Sequence, residues 1–213
     1  MKSAISKMTV LSVAAVMAAG VSRAQFSAHY QTNTVDGEAV VWSGTYCVGS
    51  NTSFNVLQVL NGGTLANGEG DLGYTATSSN NLALVSGSGS VWTNSSEMNV
   101  GYNGAGNRLV ITNGGQVVNA NAFVGRSWAA VPTLNQVEVS GSGSIWRCTG
   151  YLAIGNSAAG NRLKISDGGR VYASNNGIIG QWGDAKGNEV VVSGTGSLWQ
   201  NGVDLYLGKN TLS

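Results

Sequence analysis

Apolar side chains recur along the chain in short runs with strict alternation. Leu57 and Val59, Leu109 and Ile111, Val137 and Val139, Leu163 and Ile165, and Val190 and Val192 each flank a more polar residue. A period of two predicts strands with one face buried, and Leu82 and Leu84 fill the equivalent place in a further run. A second set reads Val41, Leu65, Val91, Val117, Ile145, Val171, Leu198, and a third reads Val48, Leu72, Val100, Val124, Ile154, Ile179, Leu207. Three apolar sets in the same order, at nearly constant separation, predict three short strands per repeat whose inward residues stack into columns.

The repeat is visible as two alternating phrases. Asn107-Arg108-Leu109-Val110-Ile111-Thr112-Asn113-Gly114-Gly115 returns as Asn161-Arg162-Leu163-Lys164-Ile165-Ser166-Asp167-Gly168-Gly169, and more weakly from Asn55 to Gly63. Between these copies stand Leu82 to Trp92, Val137 to Trp146 and Val190 to Trp199, each carrying a Ser-Gly-x-Gly-Ser segment. The phrases start at Asn55, Asn81, Asn107, Asn135, Asn161 and Asn188, and each repeat closes on an apolar residue followed by glycine, from Val48-Gly49 to Leu207-Gly208. A step near 26 residues fits one coil of a parallel β-solenoid. Helical repeats of that length need helix formers, whereas these segments are β-branched residues separated by Gly, Ser, Asn and Thr. The expected fold is all-β: one single-stranded, right-handed parallel β-helix of about seven coils.

Glycine accounts for 32 of the 213 residues and proline for one. In a solenoid these glycines serve the corners, where backbone with positive φ is needed. Asn113-Gly114-Gly115 and Gly141-Ser142-Gly143 are read as such corners, because neither precedes the Lys-Ser/Thr or the helix that a phosphate-binding loop requires. Gly68-Glu69-Gly70-Asp71 is similar to a calcium-binding glycine repeat but occurs once, without the nonapeptide period. With 10% charged residues and a formal net charge of +1, the chain has no basic excess that would suit nucleic acid.

Three segments are expected. Residues 1–24 read as a secretory signal peptide: Lys2 and Lys7, an uncharged run from Met8 to Val21, and Ser22-Arg23-Ala24 as the cleavage site. Residues 25–40 read as an irregular start or cap, and residues 41–213 as the solenoid. The mature chain then has no membrane span. Lys209-Asn210-Thr211-Leu212-Ser213 opens like a further phrase, so the repeat array reads as truncated, with an uncapped end open to end-to-end self-association.

The alternation of Ser-Gly-Ser-Gly-Ser-Val/Ile-Trp with Asn-Arg-Leu-x-Ile-Ser/Thr-Asn/Asp-Gly-Gly-x-Val, closed by Val/Ile-Gly, resembles the repeat shared by type V secretion (autotransporter) passengers and bacterial PEP-CTERM proteins. The resemblance covers about residues 35–213. It implies an exported, β-helical stalk at the cell surface, outer membrane or extracellular space, and it implies no catalytic residues or cofactor. The chain departs from the family in lacking barrel strands and a Pro-Glu-Pro sorting tail.

Side chains with chemistry to offer are few. Trp42, Trp92, Trp146 and Trp199 each follow a residue of the second column, so alternation turns them outward, with Tyr172 at the equivalent place of another coil. Such a ladder would stack on sugar rings or dock a partner surface, or else shield its own corners. Cys47 and Cys148 fall four coils apart, about 19 Å at ~4.8 Å per coil, too far for a disulfide; Cys148 is expected inside as an apolar filler. Polysaccharide-active enzymes also use β-helices, but they require paired carboxyl groups, and Glu138, Asp167, Glu189 and Asp204 fall at scattered coil positions. Arg108 and Arg162 share a column as solvated face charges. His29 alone supports neither a triad nor a multi-histidine metal site. The Arg126–Thr133 and Gln181–Gly187 insertions are where a solenoid would carry function. The expected role is a non-catalytic structural or adhesive surface segment whose partners are surface glycans or other cell-surface proteins. The alternatives are a polysaccharide-active enzyme or a glycan-binding module using the tryptophans.

Overall fold

A computed structural model describes residues 26–126, 133–183 and 185–210. The leader assigned to residues 1–24, most of the Arg126–Thr133 insertion, Asp184 and the closing Thr211-Leu212-Ser213 lie outside the described residues.

The chain winds as a parallel β-solenoid of three seven-stranded sheets, each coil giving one strand to each sheet. The first sheet holds Thr32–Asp36, Val56–Leu60, Leu82–Ser86, Arg108–Thr112, Gln136–Ser140, Arg162–Ser166 and Glu189–Ser193. The second holds Ala39–Val41, Thr64–Asn67, Val91–Asn94, Gln116–Asn119, Ile145–Cys148, Arg170–Ala173 and Leu198–Asn201. The third holds Tyr46–Val48, Gly70–Leu72, Met98–Val100, Ala122–Val124, Leu152–Ile154, Gly177–Ile179 and Leu205–Leu207. Regular winding begins at Thr32, which pairs with Val56, so the irregular start expected over residues 25–40 already contains the first coil's strand. Phe26 is buried in the core ahead of that strand.

The third apolar column is as expected, since Val48, Leu72, Val100, Val124, Ile154, Ile179 and Leu207 align without a slip. The first column is corrected in one coil: Ala83 and Val85 align with Leu109 and Ile111 and are buried, while Leu82 and Leu84 face outward. All four residues from Leu82 to Val85 are apolar, so alternation alone does not fix the phase there.

The second column is corrected in alternate coils. Trp92 aligns with Leu65 and Val117, and Trp146 with Val117 and Val171, so the tryptophans point inward and Val91, Ile145 and Leu198 point out. Val41 likewise faces out, 77% exposed, and Val40 takes the inward place. The cause is corner length. Between paired positions the Asn-Gly-Gly corner runs from Thr112 to Gln116, whereas the Ser-Gly-x-Gly-Ser corner runs from Ser86 to Val91. One additional corner residue inverts the phase of the strand that follows it.

The two corners interlock. Asn113 and Gly114 both take positive φ, and Gly115 donates to the Thr112 carbonyl at 2.9 Å, which closes a tight turn. A Cβ on Gly115 would lie 2.4 Å from the Val85 carbonyl oxygen, so no larger residue fits. The next corner supplies Ser144, whose Oγ accepts from the Gly114 amide at 3.1 Å and donates to the Ser140 carbonyl at 2.7 Å. Ser90 and Ser197 repeat this arrangement on Gly62 and Gly168. The double period therefore satisfies one corner's amide with the following corner's hydroxyl.

The inward tryptophans are tied to the preceding coil. The Trp92 indole donates to Asn67 Oδ1 at 2.7 Å, and Asn67 Nδ2 donates to Asn94 Oδ1 at 2.7 Å. Trp146 donates in the same way to Asn119 at 2.8 Å. In the last pair Ala173 stands where this asparagine would be, opposite Asn201, and both Trp199 Nε1 and Asn201 Oδ1 are buried without a partner. Ala173→Asn is expected to satisfy both atoms and to stabilise the fold by about 1–2 kcal/mol. Urea unfolding checks it, and a loss of stability would show that the orphaned atoms are not what limits this coil.

Candidate functional site

The outward face of the third sheet differs from the rest of the surface. Its central column runs Cys47, Asp71, Asn99, Phe123, Ala153, Ile178, Tyr206, changing from polar to apolar along the axis. Phe123, Ala153 and Ile178 are buried although they point away from the core, because Tyr151 and Tyr206 pack over them as a second apolar cluster. Phe123 and Tyr151 meet edge to face, with ring centroids 5.4 Å apart.

Above this strip the chain turns from each third-sheet strand toward the next coil. Arg126 follows Gly125, and its guanidinium lies over the Phe123 ring at 4.4 Å and the Tyr102 ring at 5.2 Å. Gln181 follows Gly180 and accepts from Asn156 Nδ2 at 2.6 Å. Trp182 stands beyond it, 47% exposed, its carbonyl accepting from the Ala185 amide at 3.2 Å. These side chains, with Phe123, Tyr151 and Ser157, enclose a cleft of about 590 Å³. It lies over the fifth coil, with Arg126 after the fourth coil on one side and Gln181 and Trp182 after the sixth on the other. Sequence reasoning located the insertions that begin at Arg126 and Gln181; it missed Tyr151, which reads as an ordinary residue ahead of a strand.

On one side the cleft borders an acidic cluster. Arg126 pairs with Glu97 and also reaches Asn99 Oδ1 at 3.3 Å. Asn99 Nδ2 donates to Glu69 Oε1 at 2.9 Å and to Asp71 Oδ1 at 2.8 Å. One amide thus holds two carboxyl groups within about 6 Å of each other, the separation over which sugar hydrolases place their acid and nucleophile. Asp71, however, is 1% exposed and is sealed from any substrate. Burial pushes its carboxyl up to about 7, the charges of Glu69 and Glu97 add to the rise, and the Asn99 hydrogen bond and Arg126 oppose it. Burial, with the Asp71 and Glu69 charges, also pushes the Cys47 thiol up to about 12, so it is no nucleophile at neutral pH. Among the described residues no group of three or more His, Cys, Asp or Glu is placed to hold a metal ion. The Gly68–Asp71 segment presents its acids to an amide donor.

The sign of the Asp71 effect follows from its raised value. The folded state prefers the protonated form, so its contribution is complete below the unfolded value near pH 4 and is lost as pH rises through about 7. Asp71→Asn, facing the same Glu69, Glu97, Arg126 and Cys47, is expected to gain roughly 2–4 kcal/mol over the parent at pH 8 and almost nothing at pH 4. Urea unfolding of both proteins at the two pH values tests this, and a pH-independent difference would refute it.

The remaining residues singled out from sequence are placed as follows. Trp92 and Trp146 are fully buried, Trp42 and Trp199 pack on the core as partly buried residues, and the Trp42 indole donates to the Thr45 carbonyl at 3.1 Å. The outward ladder does not exist, and the glycan reading built on it is withdrawn. Tyr172 does point outward, beneath the Arg147 guanidinium at 4.8 Å. Cys148 is buried and both cysteines are free, on different sheets in the first and fifth coils. Arg108 and Arg162 flank Gln136 in one column, and each finds an acid: Arg108 meets Glu138 at 2.6 Å and Arg162 meets Glu189 at 3.2 Å. Burial works against the Glu138 charge, but Arg108 and Lys164 outweigh it and hold the carboxyl below its ordinary value. His29 accepts from the Ser53 amide at 3.0 Å. No described helix is long and apolar enough to cross a membrane. No family model, curated protein or solved structure matches the chain.

Proposed function

We propose that the protein is a non-catalytic structural or adhesive segment, exported and displayed at the cell surface as part of a β-helical stalk of the autotransporter-passenger type. One observation carries this reading: the repeated residues serve the interior. An Asn ladder, in which Asn107 Oδ1 accepts from the Asn81 amide at 3.0 Å and Asn135 Oδ1 from the Asn107 amide at 2.8 Å, joins the glycine corners, corner serines and Asn–Trp ties in holding one coil to the next, and such quasi-one-dimensional stacking makes a spacer of any length from one unit. A recurring motif that faces inward serves extension and leaves the outer face free to vary.

The polysaccharide-active reading has one point in its favour, the spacing of Glu69 and Asp71. Against it stands the burial of Asp71, which leaves no accessible acid–base pair in that cluster.

Expression of the full chain in a bacterial host tests the proposal. The mature protein is expected to begin at Gln25, to fractionate with the cell surface or medium, and to release no sugar from a polysaccharide panel. Retention in the cytoplasm with an intact leader, or turnover abolished by Glu69→Gln, would overturn it.

A further inference from the structure

We infer that the cleft over the fifth coil is a binding site for a neutral oligosaccharide, with Trp182 and Tyr151 as its aromatic surfaces and Gln181, Asn156 and Ser157 as its polar contacts. This rests on the adhesive part of the proposed function and gives it a place on the molecule.

Exposure is the first argument. Among the exposed large hydrophobic residues, Tyr30 and Val41 belong to the first coil, and Val192, Leu198, Val203, Leu205 and Leu207 to the last, where coil stacking stops. Away from the ends stand Phe54, Tyr74, Leu134 and Trp182; Phe54 stacks on Tyr30 with ring centroids 4.8 Å apart, Tyr74 packs on Tyr102 at 5.0 Å, and Leu134 is aliphatic, whereas Trp182 lines the cleft and is not part of either apolar cluster. An indole left half in water beside a concavity forms a flat apolar wall, and the CH faces of a pyranose ring pack on such a wall.

Charge is the second. Among the described residues the only cation lining the cleft is Arg126, and it is already committed to Glu97, Asn99 and two aromatic faces. Its charge is balanced where it stands, so the described residues of the cleft give an anionic ligand no unpaired partner. What remains to meet a ligand is amide and hydroxyl chemistry: Asn156 and Gln181 are bonded to each other through one donor and one acceptor, and each amide has further capacity. Burial and the Glu97 charge raise the Tyr151 phenol above its ordinary value, so it stays protonated as a donor. Adjacent hydroxyl groups of a sugar match such paired amides.

Backbone is the third. The strand beneath the cleft, Leu152–Ile154, is paired on both edges, with Ala122–Val124 and Gly177–Ile179. An extended peptide would find no free edge to join, whereas a sugar needs only side chains.

The test uses the mature chain, residues 25–213, titrated calorimetrically with cellohexaose, chitohexaose and mannohexaose, and with a proline-rich decapeptide as the competing class of ligand. At least one hexasaccharide is expected to bind, with affinity reduced about tenfold or more by Trp182→Ala and also weakened by Gln181→Ala. Tyr172→Ala, on the second sheet, is expected to change nothing, and all three variants are expected to keep the parent's thermal midpoint. If a hexasaccharide binds equally well to Trp182→Ala, the cleft assignment fails while adhesion through another surface stands. If no hexasaccharide binds, or only the peptide does, the inference is overturned, and the stalk reading is then decided by fractionation alone.

Discussion

Trp146→Ala is expected to destabilise the protein by about 4 kcal/mol and to leave any ligand affinity of the intact fold untouched. The indole is fully enclosed, stacked in register between Val117 and Val171, and no neighbouring strand can move in to fill its space without breaking three parallel ladders. Truncating a buried Trp to Ala typically costs 3–5 kcal/mol. Here the loss also strands Asn119 Oδ1, which accepts the indole proton at 2.8 Å. Trp146→Phe keeps most of the volume and loses only the hydrogen bond, so it is expected to cost about 1–2 kcal/mol. Both values come from urea unfolding followed by circular dichroism, and coil-by-coil unfolding would appear as a broadened transition. A cost below about 1 kcal/mol for Trp146→Ala would mean that the side chain sits outside after all.

That expectation inverts what alternation alone implied, and the reason shows where the sequence was readable. Leu109-Val110-Ile111 and Phe123-Val124-Gly125 gave the period, the strands and two of the three columns, because alternation within a strand needs no knowledge of the turn before it. The phase of the second strand depends on the turn. Ser-Gly-Ser-Gly-Ser and Thr-Asn-Gly-Gly look interchangeable as glycine corners, yet they differ by one residue, and one residue is the whole difference between a core tryptophan and an exposed ladder. Leu82 and Leu84 misled for another reason: in Leu82-Ala83-Leu84-Val85 both alternate sets are apolar, so alternation does not choose between them, whereas the register of Asn81 against Asn107 does.

The cleft was half legible. A repeat protein announces its insertions by their departure from the period, so Arg126 and Gln181 were identifiable as places to look. What they enclose depends on residues three coils wide and on an outward column, Phe123-Ala153-Ile178, whose burial follows from Tyr151 and Tyr206 folding over it. No local pattern encodes that. The acidic cluster was equally hidden, because Glu69 and Asp71 of one coil meet Glu97 and Arg126 of the next two only across the stack, where Asn99 bonds Glu69, Asp71 and Arg126 and Arg126 in turn pairs with Glu97.

The asparagine that opens each coil carries the other large expected effect. Asn107→Ala is expected to cost about 3–4 kcal/mol, more than an ordinary polar truncation, because its loss leaves several groups unpaired at once. Its Oδ1 accepts from the Asn81 amide at 3.0 Å and from Asn81 Nδ2 at 2.9 Å, and its own Nδ2 donates to Asn135 Oδ1 at 3.2 Å. All three asparagines are buried, so water cannot replace what is lost, and each stranded donor or acceptor costs roughly 1–3 kcal/mol. The closing glycine of an earlier coil completes the arrangement: a Cβ on Gly73 would lie 2.2 Å from Asn107 Nδ2, and Gly101 and Asn135 repeat the contact at 2.0 Å. Gly73→Ala should therefore be as harmful as Asn107→Ala in the parent, through both the clash and its φ of +67°. In the Asn107→Ala background the contact with the asparagine is relieved, while the Ser78 carbonyl oxygen 2.5 Å from the added Cβ and the backbone strain remain, so the two changes together should cost less than their sum. A double-mutant cycle by urea unfolding measures the difference. Strict additivity would show that the glycine is fixed by its backbone conformation and the Ser78 carbonyl without the asparagine, and that the Asn ladder and the closing glycines are independent features of the repeat.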